Sequence, residues 1–305
     1  VLNLAVEQAL NGLQLGVTLF LLAAGLTLIF GIMGVINIAH GSLYMVGAFF
    51  CAATVAATKS FLLGLLAGLG GAALAGMLME TLVMRRLYAR DHLDQVLATF
   101  GLSLCMNEAF SVVFGQRPLY VDIPPWLAGS IEVVPGVPYP TYRLAIVAVG
   151  LLVALGLYLL ISHTRIGMLV RAGSTHRDMV RALGVDVRLL YTLVFGLGAL
   201  LAGLAGLMAG PVYTVQVGMG EQILILTFVV VVIGGLGSIR GAFLAAMIVG
   251  LVDTALRAFV PPWLKSFMEA SAADALGGGL SSLGIYLLMA LVLLVKPRGL
   301  LPAHG

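Results

Sequence analysis

Residues 10–36 read LNGLQLGVTLFLLAAGLTLIFGIMGVI, 27 residues without one Asp, Glu, Lys or Arg. At a rise of 1.5 Å per residue, a helix of that length exceeds the roughly 30 Å of a bilayer's hydrocarbon core. The run has neither a basic lead-in nor a small-residue cleavage site before a polar segment, so it is expected to be a retained span rather than a cleaved signal. The rest of the chain repeats the message. Of 305 residues 61% are hydrophobic and only 10% are charged, against about a quarter in a soluble domain. The mean hydropathy is +1.12, which leaves too little polar surface to clothe a globule in water.

Further apolar runs follow at about 42–58, 61–84, 95–115, 142–161, 189–210, 222–233, 241–260 and 283–295. Lipid offers no water to unpaired backbone groups, and no alternating pattern marks barrel strands, so the runs are expected to be helices. The predicted fold is an all-α integral membrane protein with eight or nine transmembrane helices, some of them discontinuous, in one transmembrane domain over 1–305. The seventh and ninth runs are short and could be partial. Glycine is abundant at 39 residues, and its spacing in 197–206 predicts a span packed closely among its neighbours.

The basic residues orient the spans. Eleven of the sixteen fall in four places: Arg85, Arg86 and Arg90; Arg165, Arg171, Arg177, Arg181 and Arg188; Arg240; and Lys296 with Arg298. That side is expected to be cytoplasmic, because short cytoplasmic loops carry the excess of Lys and Arg. The segment 116–141 holds Pro118, Pro124, Pro125, Pro135, Pro138 and Pro140, so it reads as an ordered connection on the opposite side. Basic clusters between apolar runs do not make a nucleic-acid face. Cys51 and Cys105 both lie inside apolar runs and suggest neither a disulfide framework nor a thiolate metal site.

The longest cytoplasmic loop contains a predicted short helix made of Thr175, His176, Arg177, Asp178, Met179, Val180, Arg181, Ala182, Leu183 and Gly184. Thr175 is a candidate N-cap and Gly184 a candidate C-cap. Met179, Val180 and Leu183 are expected on one face, with Arg177 and Arg181 on the other. A helix this short is marginal alone in water, so it needs support: docking on a soluble partner, or anchoring at lipid head groups.

Polar residues inside apolar runs ask for partners or a water-filled route. Asn37, His40 and Gly41 stand where one run ends and the next begins, either lining a route at a helix break or capping and filling an interface. Glu108 lies beside Asn107 in the fourth run, with Arg143 a candidate partner, while Asp253 and Arg257 are spaced for a local ion pair. A second candidate break, Gly234, Gly235, Gly237 and Ser238, precedes Arg240-Gly241-Ala242, which echoes His40-Gly41-Ser42 at a distance of 200 positions.

Four stretches carry a resemblance: GLTLIFGIMGVINIAHGS (25–42); TRIGM (164–168) followed by RALGV (181–185); VVVIGGLGSIRG (230–241); and KPRGL (296–300). Together they resemble the inner-membrane permeases of branched-chain amino-acid ABC transporters. The resemblance implies a bacterial inner-membrane subunit that pairs with a second related permease, two cytoplasmic ATP-binding subunits and a periplasmic substrate-binding protein. It implies that 175–184 is the ATPase-coupling element. Arg240 departs from the family pattern, where Pro is frequent. No P-loop, H-E-x-x-H or paired-Cys spacing occurs, so neither an enzyme nor a bound cofactor is expected, and ATP would be used by partner subunits. The alternative is an ion-coupled carrier or channel for a small polar solute such as urea or an amide, with Glu108 or Asp253 binding the ion.

Overall fold

The computed structural model describes residues 2–175 and 177–302, with the side chains of 2, 174, 175, 177 and 178 left aside. In chain order the helices are α1 (Leu2–Met33), α2 (His40–Thr58), α3 (Phe61–Met79), α4 (Arg85–Leu87), α5 (His92–Phe114), α6 (Thr141–His163), α7 (Arg165–Thr175), α8 (Arg177–Ala182), α9 (Val187–Ala209), α10 (Met219–Gly234), α11 (Ile239–Leu264) and α12 (Ala270–Val295). A π-helical turn over Glu80–Met84 joins α3 to α4. Among the described residues, eight helices are long and apolar enough to cross a membrane, and α10 is a shorter apolar helix. The ninth run proves a full span: α12 starts at Ala270, well before residue 283, because Asp274, Gly277–Gly279 and the Ser281–Ser282 pair dilute its hydropathy without ending the helix.

The chain packs as two compact units. One contains the chain up to Phe20, Pro124–Leu151 and the part from Thr227 onward. Here small residues set the helix contacts. Gly12 and Gly16 of α1 lie against Gly250 and Ala246 of α11, backbone to backbone, the close approach that drives association where lipid competes for apolar side chains. Phe20 meets Phe243 edge to face, centroids 5.1 Å apart. Outside the spans, β1 (Ser130–Val134) and β2 (Val137–Pro140) pair antiparallel, with Ile131 opposite Tyr139 and a bulge between Glu132 and Val134. Asn3 donates to the Gly136 carbonyl at the tip of this hairpin, 3.4 Å, which places the start of α1 on the side of the Pro-rich segment. The Asp253–Arg257 ion pair forms as its spacing predicts, 2.8 Å.

The second unit consists of Leu21–Ile123 and Leu152–Leu226. Its core is α2, α3 and α9, with Gly47, Gly68, Ala72, Gly76, Ala199 and Gly203 at the crossings. A Cβ on Gly206 would collide with the Tyr44 carbonyl. Of the most apolar window of α9, 78% is buried, as its glycine pattern leads one to expect.

Candidate translocation site

The interruption between α1 and α2 lies at mid-depth, and two helices measure this independently. Ser103 is the midpoint of the 23-residue α5, about 16 Å from either end at 1.5 Å per residue. Its hydroxyl is 3.1 Å from that of Ser42, and one turn earlier Thr99 Oγ1 accepts from the Ile38 N–H, 3.2 Å. Gly198 is the midpoint of α9, also 23 residues. A Cβ on Gly25 would meet both the Gly198 carbonyl, at 2.5 Å, and His40 Nε2, at 2.9 Å. So α1 continues for two turns past the level of His40, and residues 34–39 bring the chain back before α2 begins. Gly34, at φ +66° with open space around it, makes the reversal.

The break leaves polar groups short of partners. Asn37 and His40 are both fully buried. Asn37 Nδ2 reaches only the Met79 sulfur, 3.9 Å, and its Oδ1 has no partner. The His40 ring interacts with the Leu22 backbone, but neither ring nitrogen meets strict hydrogen-bond geometry. Ala39, at the cap position of α2, has no side-chain hydrogen bond to give. Unpaired buried groups cost about 1–3 kcal/mol each, so their accumulation within four residues marks a site where stability has been given up.

A second interrupted crossing meets the first. After α9 the chain touches Leu119 through paired Val215 backbone bonds, 2.8 and 3.0 Å, beyond the Phe114 end of α5. It then returns inward through Gly218, at φ +85°, to start α10. Gly220 sits backbone to backbone on Gly41: a Cβ on Gly41 would stand 2.5 Å from the Gly220 carbonyl. The N-terminal ends of α2 and α10, the positive ends of their dipoles, therefore converge at the middle of the span. Beside them Glu221 Oε1 accepts from Asn107 Nδ2, 2.6 Å, and from the Ser103 hydroxyl, 3.3 Å.

Of the residues singled out by sequence, the structure brings Asn37, His40 and Gly41 to this locus and leaves Glu108 exposed. The carboxylate beside Asn107 is that of Glu221, since adjacent helical residues point about 100° apart. Arg143 donates instead to Asn11 Oδ1, 2.6 Å. Gly234, Gly235, Gly237 and Ser238 form the turn between α10 and α11 in the first unit.

The segment 175–184 differs in detail from its prediction. Thr175 closes α7 and α8 begins at Arg177, while His176 lies outside the described residues. Leu183 N–H bonds to the Met179 carbonyl, 3.1 Å, and Gly184 ends the helix at φ +83°. Met179 and Leu183 are 63% and 78% exposed, but Val180 is 5% exposed. The outward pair is thus 179 and 183, four apart, while Val180 turns into the body. Arg181 lines a cavity of about 510 Å³ with Arg85, Arg188 and Glu80. The buried Glu80 carboxylate is held by Arg85 Nε (3.0 Å), the Tyr88 hydroxyl (3.1 Å) and the Thr192 hydroxyl (2.7 Å). Burial, and then the Glu80 charge, push the Tyr88 phenol up from its ordinary value, keeping it a donor. Glu80 and Glu221 were not singled out by sequence, although a carboxylate within or bordering an apolar run is itself the signal.

Eight helices long and apolar enough to cross a membrane, with interrupted helices meeting midway along their neighbours, are the architecture of a polytopic membrane protein. The chain matches the family described as "Branched-chain amino acid transport system / permease component" over residues 8–271, and it belongs to that family. Similar proteins include the high-affinity branched-chain amino acid transport system permease protein BraD of Pseudomonas aeruginosa, 31% identical over 97% of this chain and 95% of the relative. The LivH permease proteins of Salmonella typhimurium and Escherichia coli are 29% and 28% identical, each over 97% of this chain and 94% of their own length. No solved structure matches. The chain is a multi-pass membrane protein, a transport subunit rather than an enzyme.

Proposed function

We propose that this chain, acting as one permease domain over 1–305, carries branched-chain amino acids inward across a bacterial inner membrane as the membrane subunit of an ABC importer. The observation that carries the reading is its nearly end-to-end similarity to BraD and LivH. Its partners in this reading are a second related permease, two cytoplasmic ATP-binding subunits and a periplasmic binding protein. It holds no cofactor of its own, and ATP is spent on the partners. The segment 175–184 couples the spans to the ATPases. Exposed Met179 and Leu183 dock, and Arg181, beside the Glu80 and Arg85 cluster, relays displacement to α3 and α9. The solute passes the break at Asn37, His40 and Gly41, and the Gly234, Gly235, Gly237 and Ser238 turn anchors the neighbouring helix pair.

The test is leucine uptake by vesicles containing the assembled complex. Wild type takes up leucine only with ATP and loaded binding protein. Leu183→Glu, which puts a charge on the docking face, lowers leucine moved per ATP by about tenfold, the scale of one lost apolar anchor. Uptake that persists without nucleotide sinks the reading in favour of ion coupling.

A further inference from the structure

Among the described residues, the two buried carboxylates each have a cation: Glu80 meets Arg85 and Asp253 meets Arg257. Glu221 is built differently. Its Oε1 takes the two neutral donors from Asn107 and Ser103, and no Lys, Arg or His pairs with it among the described residues. Its Oε2 has no protein donor among them. A charge at mid-span costs about 3 kcal/mol even when partly accommodated. The α10 dipole, acting on a residue in its first turn, returns only about 0.3–1 kcal/mol. A purely structural residue here would be the amide, which satisfies the same hydrogen bonds without a charge.

We infer that Glu221 is the transient site for the α-ammonium group of the transported amino acid, bound through Oε2 at the meeting of α2 and α10. This rests on the permease reading above. An ammonium has three donors and no acceptor, which suits a carboxylate with one oxygen already oriented and the other open. A charge-assisted contact of that kind is about twice as strong as a neutral one. The solute is a zwitterion, and the site assigned here takes its ammonium half. The apolar side chain needs no specific partner, so the site recognises the feature common to all amino acids and leaves selection among side chains to other parts of the system. Ser42, joined to Glu221 through Ser103, ties the carboxylate to the first turn of α2, so movement at the break and release of the ammonium are mechanically linked.

The test uses the full complex in vesicles, with leucine as the probe and uptake per ATP hydrolysed as the readout. Glu221→Gln keeps the hydrogen-bonding shape and removes the charge; it lowers that ratio by about tenfold or more. The double variant Asn107→Asp with Glu221→Gln returns the carboxylate to the other end of the same hydrogen bond and restores most of the ratio. A Glu221→Gln complex that couples as well as wild type overturns the inference while leaving the permease reading intact. So does a loss, through misassembly or otherwise, that the double variant fails to recover, because the role is then structural. A wild-type complex that moves no leucine overturns the permease reading itself.

Discussion

After α1 the chain leaves helical geometry for six residues and re-enters it at His40; after α10 it does so for four and re-enters at Ile239. Both re-entries carry a glycine pressed on another glycine, Gly41 on Gly220 and Gly241 on Gly234. Around that shared contact the two breaks are finished in opposite ways. At the second, Ser238 caps α11 by accepting from the Gly241 N–H, 3.1 Å, and Gly235 N–H bonds back to Val231, 3.0 Å. The C-terminal segment then ties the end of α10, through Leu300 to Ile233 (2.8 Å) and Leu301 to Gly234 (3.1 Å). At the first, the cap residue is Ala39, and Asn37 and His40 keep unpartnered polar atoms in the interior. Similar sequence has produced a sealed turn in one place and an unsatisfied polar break in the other. The unsatisfied one keeps surplus bonding capacity, which is why the proposed route is drawn through it.

The largest effect should come from breaking the sealed turn. Gly241→Ala drives a Cβ into the Gly234 carbonyl, and a backbone atom cannot yield as a flexible side chain would. The loss should reach the upper end of overpacking costs, about 3 kcal/mol or more, read as loss of monodisperse protein after extraction in mild detergent. His40→Leu separates the two breaks by function. Removing two unsatisfied nitrogens should leave thermal stability unchanged or raised by about 1 kcal/mol, while leucine uptake falls by about tenfold, the loss of a hydrogen-bonding group on the path. A clear drop in melting temperature would instead mean that His40 serves packing. Ser238→Ala has the smallest effect, about 1 kcal/mol of stability from a lost N-cap, with uptake per folded complex unchanged; an uptake defect there would erase the contrast.

Much of this was legible in consecutive residues. The nine apolar runs all became helices, the first break stands where Asn37 and His40 interrupt hydropathy, and the Asp253–Arg257 pair follows from helical spacing. The first half of α12 was not legible, because Gly277–Gly279 lowers hydropathy although glycine is tolerated where helices pack in lipid. Glu221 stands one residue before the apolar run at 222–233, and nothing local shows that Asn107 and Ser103 reach it. Val180 was assigned to the docking face by periodicity, yet a helix of six residues has no continuous stripe, and the body of the protein takes the one apolar side chain that leans toward it.

Sequence alone decided that this protein lives in lipid and that its chain crosses eight or nine times, since both depend on the hydropathy and length of runs of neighbouring residues. Which polar groups face one another in the interior was decided only by tertiary structure. Gly41 meets Gly220, and Asn107 meets Glu221, because close packing of small residues brings distant segments together. Hydropathy acts over a turn or two of chain, whereas a backbone contact between two glycines depends on the placement of every helix between them.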